Sequence, residues 1–258
     1  MGNSRGFRNL IPPAACLLGF LAIWQAAVSL FAIEAWILPS PLAIFQEMAA
    51  EWPRLMGHAA ATVRLTLLGF AAGTAAGLGL AALLHLIPGA RAGLYPLLVL
   101  TQNVPVIVLG DLLVIWFGFG VLPKLILLIL VCFFPVSVSM LTGLQQADPK
   151  LVHYMRMIGA DKRQLFWKLE LPGALSHLFS GLKIAASYCV IGAIYAEALG
   201  SNEGLGYYIR LSSNGWETSR VFAGILIIVL FSLLLFGVIA LIERYSIRGK
   251  VRKEGGVQ

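Results

Sequence analysis

Long apolar runs separated by short polar segments set the pattern of this chain. A helix rises about 1.5 Å per residue, so roughly 20 apolar residues cross a hydrocarbon core about 30 Å thick. Six runs reach this length, and the predicted spans cover residues 11–33, 59–86, 94–117, 122–142, 178–199 and 221–242. The pattern therefore predicts an all-α polytopic membrane protein with six transmembrane helices, forming a single domain over residues 1–258.

The longest break in the apolar pattern is the polar loop 143–177, between the fourth and fifth spans. Its stretch 148–172 carries eight formally charged residues, and placing them in lipid would cost on the order of 20 kcal/mol. Apolar residues recur in it at spacings of three and four, which is typical of a helix with one apolar face. Gly159 interrupts this pattern and Pro172 is predicted to end it. We therefore expect two short, water-exposed helices joined at a glycine bend.

The segment between the first two spans predicts a short helix along the membrane interface. Ser40 can cap this helix, and Pro41 can occupy its first turn. The apolar face would consist of Phe45, Met48, Trp52 and Leu55. Tryptophans at headgroup depth would then anchor the helix on the membrane surface.

The second predicted span carries glycines at strict four-residue intervals, Gly69, Gly73 and Gly77. Such a stripe lets a neighbouring helix approach closely, and van der Waals packing holds helices together in lipid. The alternative is that glycine is simply common in membrane helices.

Amide and ionisable side chains inside predicted spans are candidates for a substrate pathway, because they are costly in lipid. Gln102, Asn103 and Asp111 lie on the third span, and Glu197 lies near the end of the fifth. For Glu197 the sequence leaves two roles open, a pathway or gate residue and a member of a structural ion pair. The candidate ion-pair partners are Arg64 and Arg220.

Composition supports a membrane protein, since 59% of the residues are hydrophobic and 12% are charged, against about 25% charged in soluble domains. The formal charge of +7 does not indicate nucleic-acid binding, because the basic residues lie beside apolar spans rather than along one face. Of the 19 basic residues, 14 fall on the side that holds both termini and the polar loop. The positive-inside rule places that side in the cytoplasm.

Motifs for a metal site or a catalytic centre are absent from the sequence. Cys16, Cys132 and Cys189 lie in apolar runs, and neither HExxH nor GxSxG occurs, so we expect no disulfide, metal site or bound cofactor. No lysine is followed by Ser or Thr, as a P-loop would require. We therefore expect no ATPase activity in this chain. A membrane-embedded enzyme and an ATP-independent channel or carrier are the alternatives from other classes.

The polar loop carries a recognisable spacing. Gly159 is followed after nine residues by Leu169, then by Glu170 and by Leu171-Pro172. This resembles the cytoplasmic loop of bacterial ABC importer permeases of the binding-protein-dependent transport family, whose pattern is EAA, three residues, Gly, nine residues, Ile, one residue and Leu-Pro. Residues 153–155, His-Tyr-Met, occupy the EAA positions and differ from it.

Other segments are similar to the branch of this family that serves nitrate, sulfonates, taurine and vitamin precursors. They are Leu38-Pro39-Ser40-Pro41, Gln102 with Pro105, Trp116-Phe117-Gly118, Met157-Ile158-Gly159-Ala160, Gly181-Leu182-Lys183 and Gly204-Leu205-Gly206. The resemblance implies a type I importer fold in which the polar loop is a coupling helix seated on a separate ATPase subunit. The residues it implies for this coupling are Met157, Ile158, Gly159, Ala160, Asp161, Leu165, Leu171 and Pro172.

The resemblance also implies the partners and the location. We expect a homodimer in the lipid bilayer of the bacterial inner membrane, an ATPase subunit that binds the ATP, and an extracytoplasmic solute-binding protein. Asp111 stands where sulfonate-type relatives usually have proline, and Val106 stands where they often have lysine. A carboxylate near the path repels anions. This favours a neutral or cationic heterocycle such as a pyrimidine-type vitamin precursor, with sulfonate, taurine or nitrate as the alternative.

Overall fold

The described part of the chain, residues 4–87, 89–101 and 103–254 of a computed structural model, consists of helices and their connections. The helices are α1 (Ser4–Leu30), α2 (Pro41–Ala50), α3 (Trp52–Leu86), α4 (Ala90–Thr101), α5 (Val106–Phe117), α6 (Val121–Gln145), α7 (Pro149–Met157), α8 (Lys162–Leu165), α9 (Leu171–Gly200), α10 (Leu205–Asn214) and α11 (Thr218–Glu254), with a π-helical turn, Phe166–Glu170, between α8 and α9. The prediction of an all-α protein is confirmed.

Helix α6 lies at the centre of the bundle, and it packs along both α3 and α9. The glycine stripe of α3 faces α6 in this packing. A Cβ added at Gly69 would come within 2.5 Å of Leu128, one at Gly73 within 2.6 Å of Cys132, and one at Gly77 within 2.8 Å of the α6 backbone. Only glycine permits this close approach, which replaces the hydrophobic effect as the source of packing energy in lipid.

Four described helices are long and apolar enough to cross a membrane, or five if α4 and α5 are counted together. They are α3, α6, the helix Lys162–Gly200 and α11. The apolar part of α1, Ala15–Leu30, falls among the shorter apolar helices. The count of six spans therefore stays a prediction.

The third predicted span is broken rather than continuous. Helices α4 and α5 meet at an angle of 94°, so the prediction of one helix over residues 94–117 is wrong. Pro105 stands directly before α5, and a proline lacks the N–H that would continue a helix through this point. The predicted pathway residue Gln102 lies outside the described residues.

The prediction that Pro172 ends a helix is also wrong. Residues 162–200 form one helix of 39 residues, in which Pro172 occupies the first turn of α9. The N–H of Leu171 donates to the carbonyl of Phe166, five residues earlier. Because Pro172 has no N–H, a regular α-helix would lose a hydrogen bond here. The wider π-helical turn accommodates the proline, so the helix continues into the predicted fifth span.

The interfacial helix is shorter than predicted. The hydroxyl of Ser40 accepts a hydrogen bond of 3.2 Å from the N–H of Ala43, which confirms the predicted cap. Helix α2 ends at Ala50, and Trp52 and Leu55 belong to α3. The predicted four-residue face is therefore wrong, because a second helix start at residue 52 divides it.

Candidate coupling surface and substrate cleft

The polar loop folds as a helical elbow, which we define as residues 148–165. The Asp148 carboxylate caps α7 by accepting from the N–H of Lys150 at 2.8 Å, and Asp161 caps α8 by accepting from the N–H of Gln164 at 2.6 Å. Gly159 joins the two helices with φ +82°, a left-handed conformation that glycine adopts without strain. The predicted bend at Gly159 is confirmed, but only α7 is a short helix, because α8 is the start of the helix that runs to residue 200.

The elbow presents apolar side chains that nothing in the described chain covers. Met157 is 73% exposed, Ile158 62% and Tyr154 61%. Leu165, by contrast, is buried and holds the second helix against the bundle. Ala160 and Leu171 are half-buried. An exposed apolar patch beside charged residues, on a segment too polar for lipid, is typical of a protein-binding surface.

Basic side chains surround this patch. Lys150, Arg156, Lys162 and Arg163 are all exposed on the elbow. Exposed cations around an apolar centre resemble the polar rim of a protein–protein interface. The elbow therefore has the anatomy of a docking site for another protein.

A cleft of about 470 Å³ opens beside the break between α4 and α5. Its walls come from α4, α5, α6 and α9 and are almost wholly apolar. The lining residues are Thr101, Val104, Val106, Leu109, Leu130, Val131, Phe133, Phe134, Pro135, Tyr188, Ile191 and Gly192. Thr101 and Tyr188 contribute hydroxyl groups, and none of these lining residues carries a formal charge. A cleft of this size and composition suits a small, uncharged and partly aromatic molecule.

The predicted pathway residues that the structure describes do not gather in this cleft. Asn103 is exposed at the helix break, where its amide donates to the carbonyl of Val99 at 3.1 Å. Asp111 is exposed on α5, one turn beyond Ile107, whose carbonyl accepts from the Tyr195 hydroxyl at 3.0 Å. Neither side chain is among the residues that line the cleft. Their part in a pathway stays a prediction.

Glu197 is buried in a contact that the sequence did not reveal. Its carboxylate accepts hydrogen bonds from the Thr62 hydroxyl at 2.8 Å and from the N–H of Gly206 at 2.9 Å. The Thr62 hydroxyl in turn accepts from the N–H of Leu205 at 2.7 Å. Glu197 therefore holds α3, α9 and the start of α10 together. The Gly204-Leu205-Gly206 motif was the available signal, because a Cβ at Gly204 would collide with the carboxylate.

The predicted ion pair of Glu197 with Arg220 is wrong. Arg220 instead contacts Glu47 at 2.7 Å, Glu217 at 2.5 Å and Glu51 at 3.6 Å. These contacts tie the start of α11 to the interfacial segment around α2. Arg64 forms no ion pair with Glu197 either, as far as the described residues go.

Comparison with known proteins identifies the family of the chain. Residues 73–247 match the family described as binding-protein-dependent transport system inner membrane component. The formylaminopyrimidine transport permease ThiX of Halalkalibacterium halodurans is 33% identical over 90% of this chain and 93% of its own length. The aliphatic sulfonates transport permease SsuC of Bacillus subtilis is 30% identical over 96% and 89%.

A solved structure shares the fold at lower identity. The inward-facing MetNI methionine ABC transporter superposes with a TM-score of 0.65 at 20% identity, covering 72% of this chain and 92% of that one. The family match covers more than half of the chain, and the relatives include both a formylaminopyrimidine permease and an aliphatic sulfonates permease. The chain therefore belongs to the binding-protein-dependent transport system inner membrane component family, as a multi-pass permease subunit of an ABC importer.

Proposed function

We propose that this permease moves a small solute across the cytoplasmic membrane by alternating access, driven by ATP hydrolysis in a separate subunit. The observation that carries the proposal is the helical elbow, whose apolar tip is exposed although the charged residues beside it make this segment too polar for lipid. ATP binding in the partner would close a pair of ATPase subunits and draw two elbows together. Met157 and Ile158 at the tip are the residues that would enter the ATPase surface.

A second copy of the chain would complete the pathway. Val104 is 40% exposed and Tyr188 54% at the cleft, so one copy lines this space incompletely. A homodimer would supply the opposite wall from the same residues, as closed two-fold symmetry requires. The incomplete lining of the cleft in one copy supports the prediction of a homodimer.

The opposite end of the bundle suits the binding protein. Residues 34–57 and 200–220 lie there, and Trp36 and Trp216 form an exposed edge-to-face pair with ring centroids 5.7 Å apart. Trp216 is 70% exposed and has φ +58°. Exposed tryptophans are frequent anchors of protein interfaces. We assign docking of the extracytoplasmic solute-binding protein to this surface.

For the substrate we favour a neutral or cationic heterocycle of the pyrimidine type. The apolar cleft offers hydroxyl groups and aromatic faces, and a permease for formylaminopyrimidine is among the similar proteins. A sulfonate or taurine is the second candidate, because a sulfonates permease is similar over nearly the whole chain. An anion would gain little from a cleft whose lining carries no cation.

Uptake into proteoliposomes tests the proposal. The permease is purified with the ATPase subunit that accompanies it, and labelled formylaminopyrimidine is supplied with the cognate binding protein. We expect ATP-dependent uptake that unlabelled taurine does not compete. Taurine or alkanesulfonate uptake without pyrimidine uptake would reverse the substrate assignment, and purification without any ATPase subunit would contradict the function itself.

A variant at the elbow connects this uptake to the proposed coupling. Gly159→Val forces a β-branched residue into the left-handed region at a cost of about 1–2 kcal/mol, so it should deform the elbow and lower uptake. Gly159→Asn is the matched control, because asparagine tolerates this conformation. Equal uptake by both variants would contradict the role of the elbow.

A further inference from the structure

A side-chain hydrogen bond lies directly behind the elbow, between two helices that the chain does not connect there. Nε2 of His85 and Oε2 of Glu170 are 2.7 Å apart, and the two side chains are 18% and 14% exposed. Since a carboxylate only accepts hydrogen bonds, Nε2 must carry the proton and donate it. His85 stands in the last turn of α3, and Glu170 is the last residue of the π-helical turn.

The π-helical turn is held at both of its ends by the same histidine. The ring of Phe166, its first residue, lies 6.0 Å from the His85 ring, centroid to centroid. Glu170, its last residue, makes the hydrogen bond. A π-helical turn inside an α-helix is uncommon and is frequently found at functional sites. The end of α3 is therefore attached to the one irregular turn between the elbow and α9.

Without a further contact across the π-helical turn, movement of the elbow would not reach the bundle behind it. Pro172 cannot donate to the carbonyl four residues before it, so the backbone here has fewer hydrogen bonds than a regular helix. A pull on the elbow could stretch the turn without moving the bundle behind it. A contact from a neighbouring helix that spans the turn would resist such stretching.

We propose that His85 and Glu170 are positioning residues that transmit the movement of the elbow to α3. This inference rests on the proposed function, because it requires an ATPase that moves the elbow. Helix α9 follows the elbow through the backbone, whereas α3 follows it through this hydrogen bond and the Phe166 contact. A charged hydrogen bond shielded from water is strong enough to act as such a link. Helix α3 then carries α6 with it along the glycine stripe.

The test measures how the cleft responds to nucleotide, so it needs no substrate. The complex with its ATPase subunit is reconstituted in nanodiscs with Cys16→Ser and Val104→Cys, since Cys16 is exposed whereas Cys132 and Cys189 are buried. A water-soluble maleimide labels position 104 at the cleft. The ratio of its labelling rates with and without ATP and vanadate reports alternating access.

The variants at position 85 form a matched pair. His85→Gln keeps an N–H near the position of Nε2 and should keep the labelling ratio of the parent. His85→Asn is equally polar but one methylene shorter, so it should lose the bond. We expect His85→Asn, His85→Leu and Glu170→Leu to keep ATPase activity. Their labelling ratios should approach one, with the response falling about three- to thirty-fold, as loss of one coupling contact can produce.

Two controls separate transmission from general damage. His177→Leu removes another half-buried histidine, one without a side-chain hydrogen bond to any described residue. It should leave the labelling ratio unchanged. In a double variant of His85→Leu and Glu170→Leu the response should be no smaller than in either single variant, because both break the same link.

The outcomes are distinguishable. A full nucleotide response in His85→Asn, an equal loss in His177→Leu, or additive losses in the double variant would each overturn the proposed link. If the complex with His85→Leu does not assemble, the comparison of His85→Gln with His85→Asn is enough to decide whether the link exists. No nucleotide response in the parent would overturn the proposed function, and the link with it.

Discussion

At the scale of single residues, buried polar groups in this bundle divide into those that hold other elements and those that do not. The Thr62 hydroxyl lies between the Glu197 carboxylate and the N–H of Leu205. One turn later on the same helix, Thr66 is equally buried, but its hydroxyl finds no partner among the described residues. A buried threonine hydroxyl therefore stabilises the fold at position 62 and costs desolvation free energy at position 66.

A comparison of valine substitutions at these threonines tests this difference. Thr62→Val should lower stability by about 1–3 kcal/mol, because it removes one of the two hydrogen-bond donors of the buried Glu197 carboxylate and leaves the N–H of Leu205 without a partner. Thr66→Val should be neutral or slightly stabilising, since the hydroxyl it removes has no hydrogen bond to lose. Thermal unfolding of the purified complex in detergent measures both. Equal losses would show that the hydroxyl of Thr62 has no special role.

At the scale of elements, close helix packing depends on which glycines face a neighbour. Gly73 faces α6, and a Cβ there would lie 2.6 Å from Cβ of Cys132. Gly79 lies on the same helix with nothing within 4 Å of such a Cβ. Because α3 and α6 are both long and apolar, separating them even slightly removes many dispersion contacts along their whole length.

Alanine at these two positions should therefore act in opposite directions. Gly73→Ala must push α3 away from α6 and should lower stability by about 1–3 kcal/mol. Gly79→Ala should raise stability by up to about 1 kcal/mol, because alanine is the better helix former. The midpoint of thermal unfolding in detergent gives the comparison. A loss at both positions would mean that the glycines contribute something other than close packing.

At the scale of the whole molecule, polar contacts concentrate at the two ends of the bundle. Glu197 with Thr62 and Arg220 with its three glutamates lie at one end, and the His85–Glu170 pair lies at the other. Between these ends, the ion pair of Lys183 with Glu243 joins α9 to α11. The elbow belongs to the end that carries most of the basic residues, so we expect that end to face the cytoplasm.

Labelling of intact cells tests this orientation. With Cys16 replaced by serine, Met157→Cys should react with an impermeant maleimide only after the membrane is permeabilised. Asn214→Cys, at the other end of the bundle, should react in intact cells. Both positions are exposed, so the difference reports the side of the membrane. Labelling in the reverse order would place the elbow outside and contradict the whole assignment.

The elbow shows how far sequence reasoning reaches. The charge of residues 148–172, the apolar spacing and Gly159 together predicted two exposed helices and a bend, because each of these signals is local. The prediction that Pro172 ends the helix was wrong, since the effect of a proline depends on whether the surrounding helix can widen into a π-helical turn. The break before Pro105 was not predicted, because apolar runs flank it on both sides and were read as one continuous span.

By itself, the sequence determined that the chain crosses a membrane, that its spans are helical, and that the loop 143–177 is too polar for lipid. Hydrophobicity and charge decide these properties residue by residue, without reference to distant parts of the chain. Only the tertiary structure decided that Glu197 meets Thr62, 135 residues away, and that His85 meets Glu170, 85 residues away. Such partners depend on how helices pack and in which register, and packing is a property of the surfaces of several helices at once.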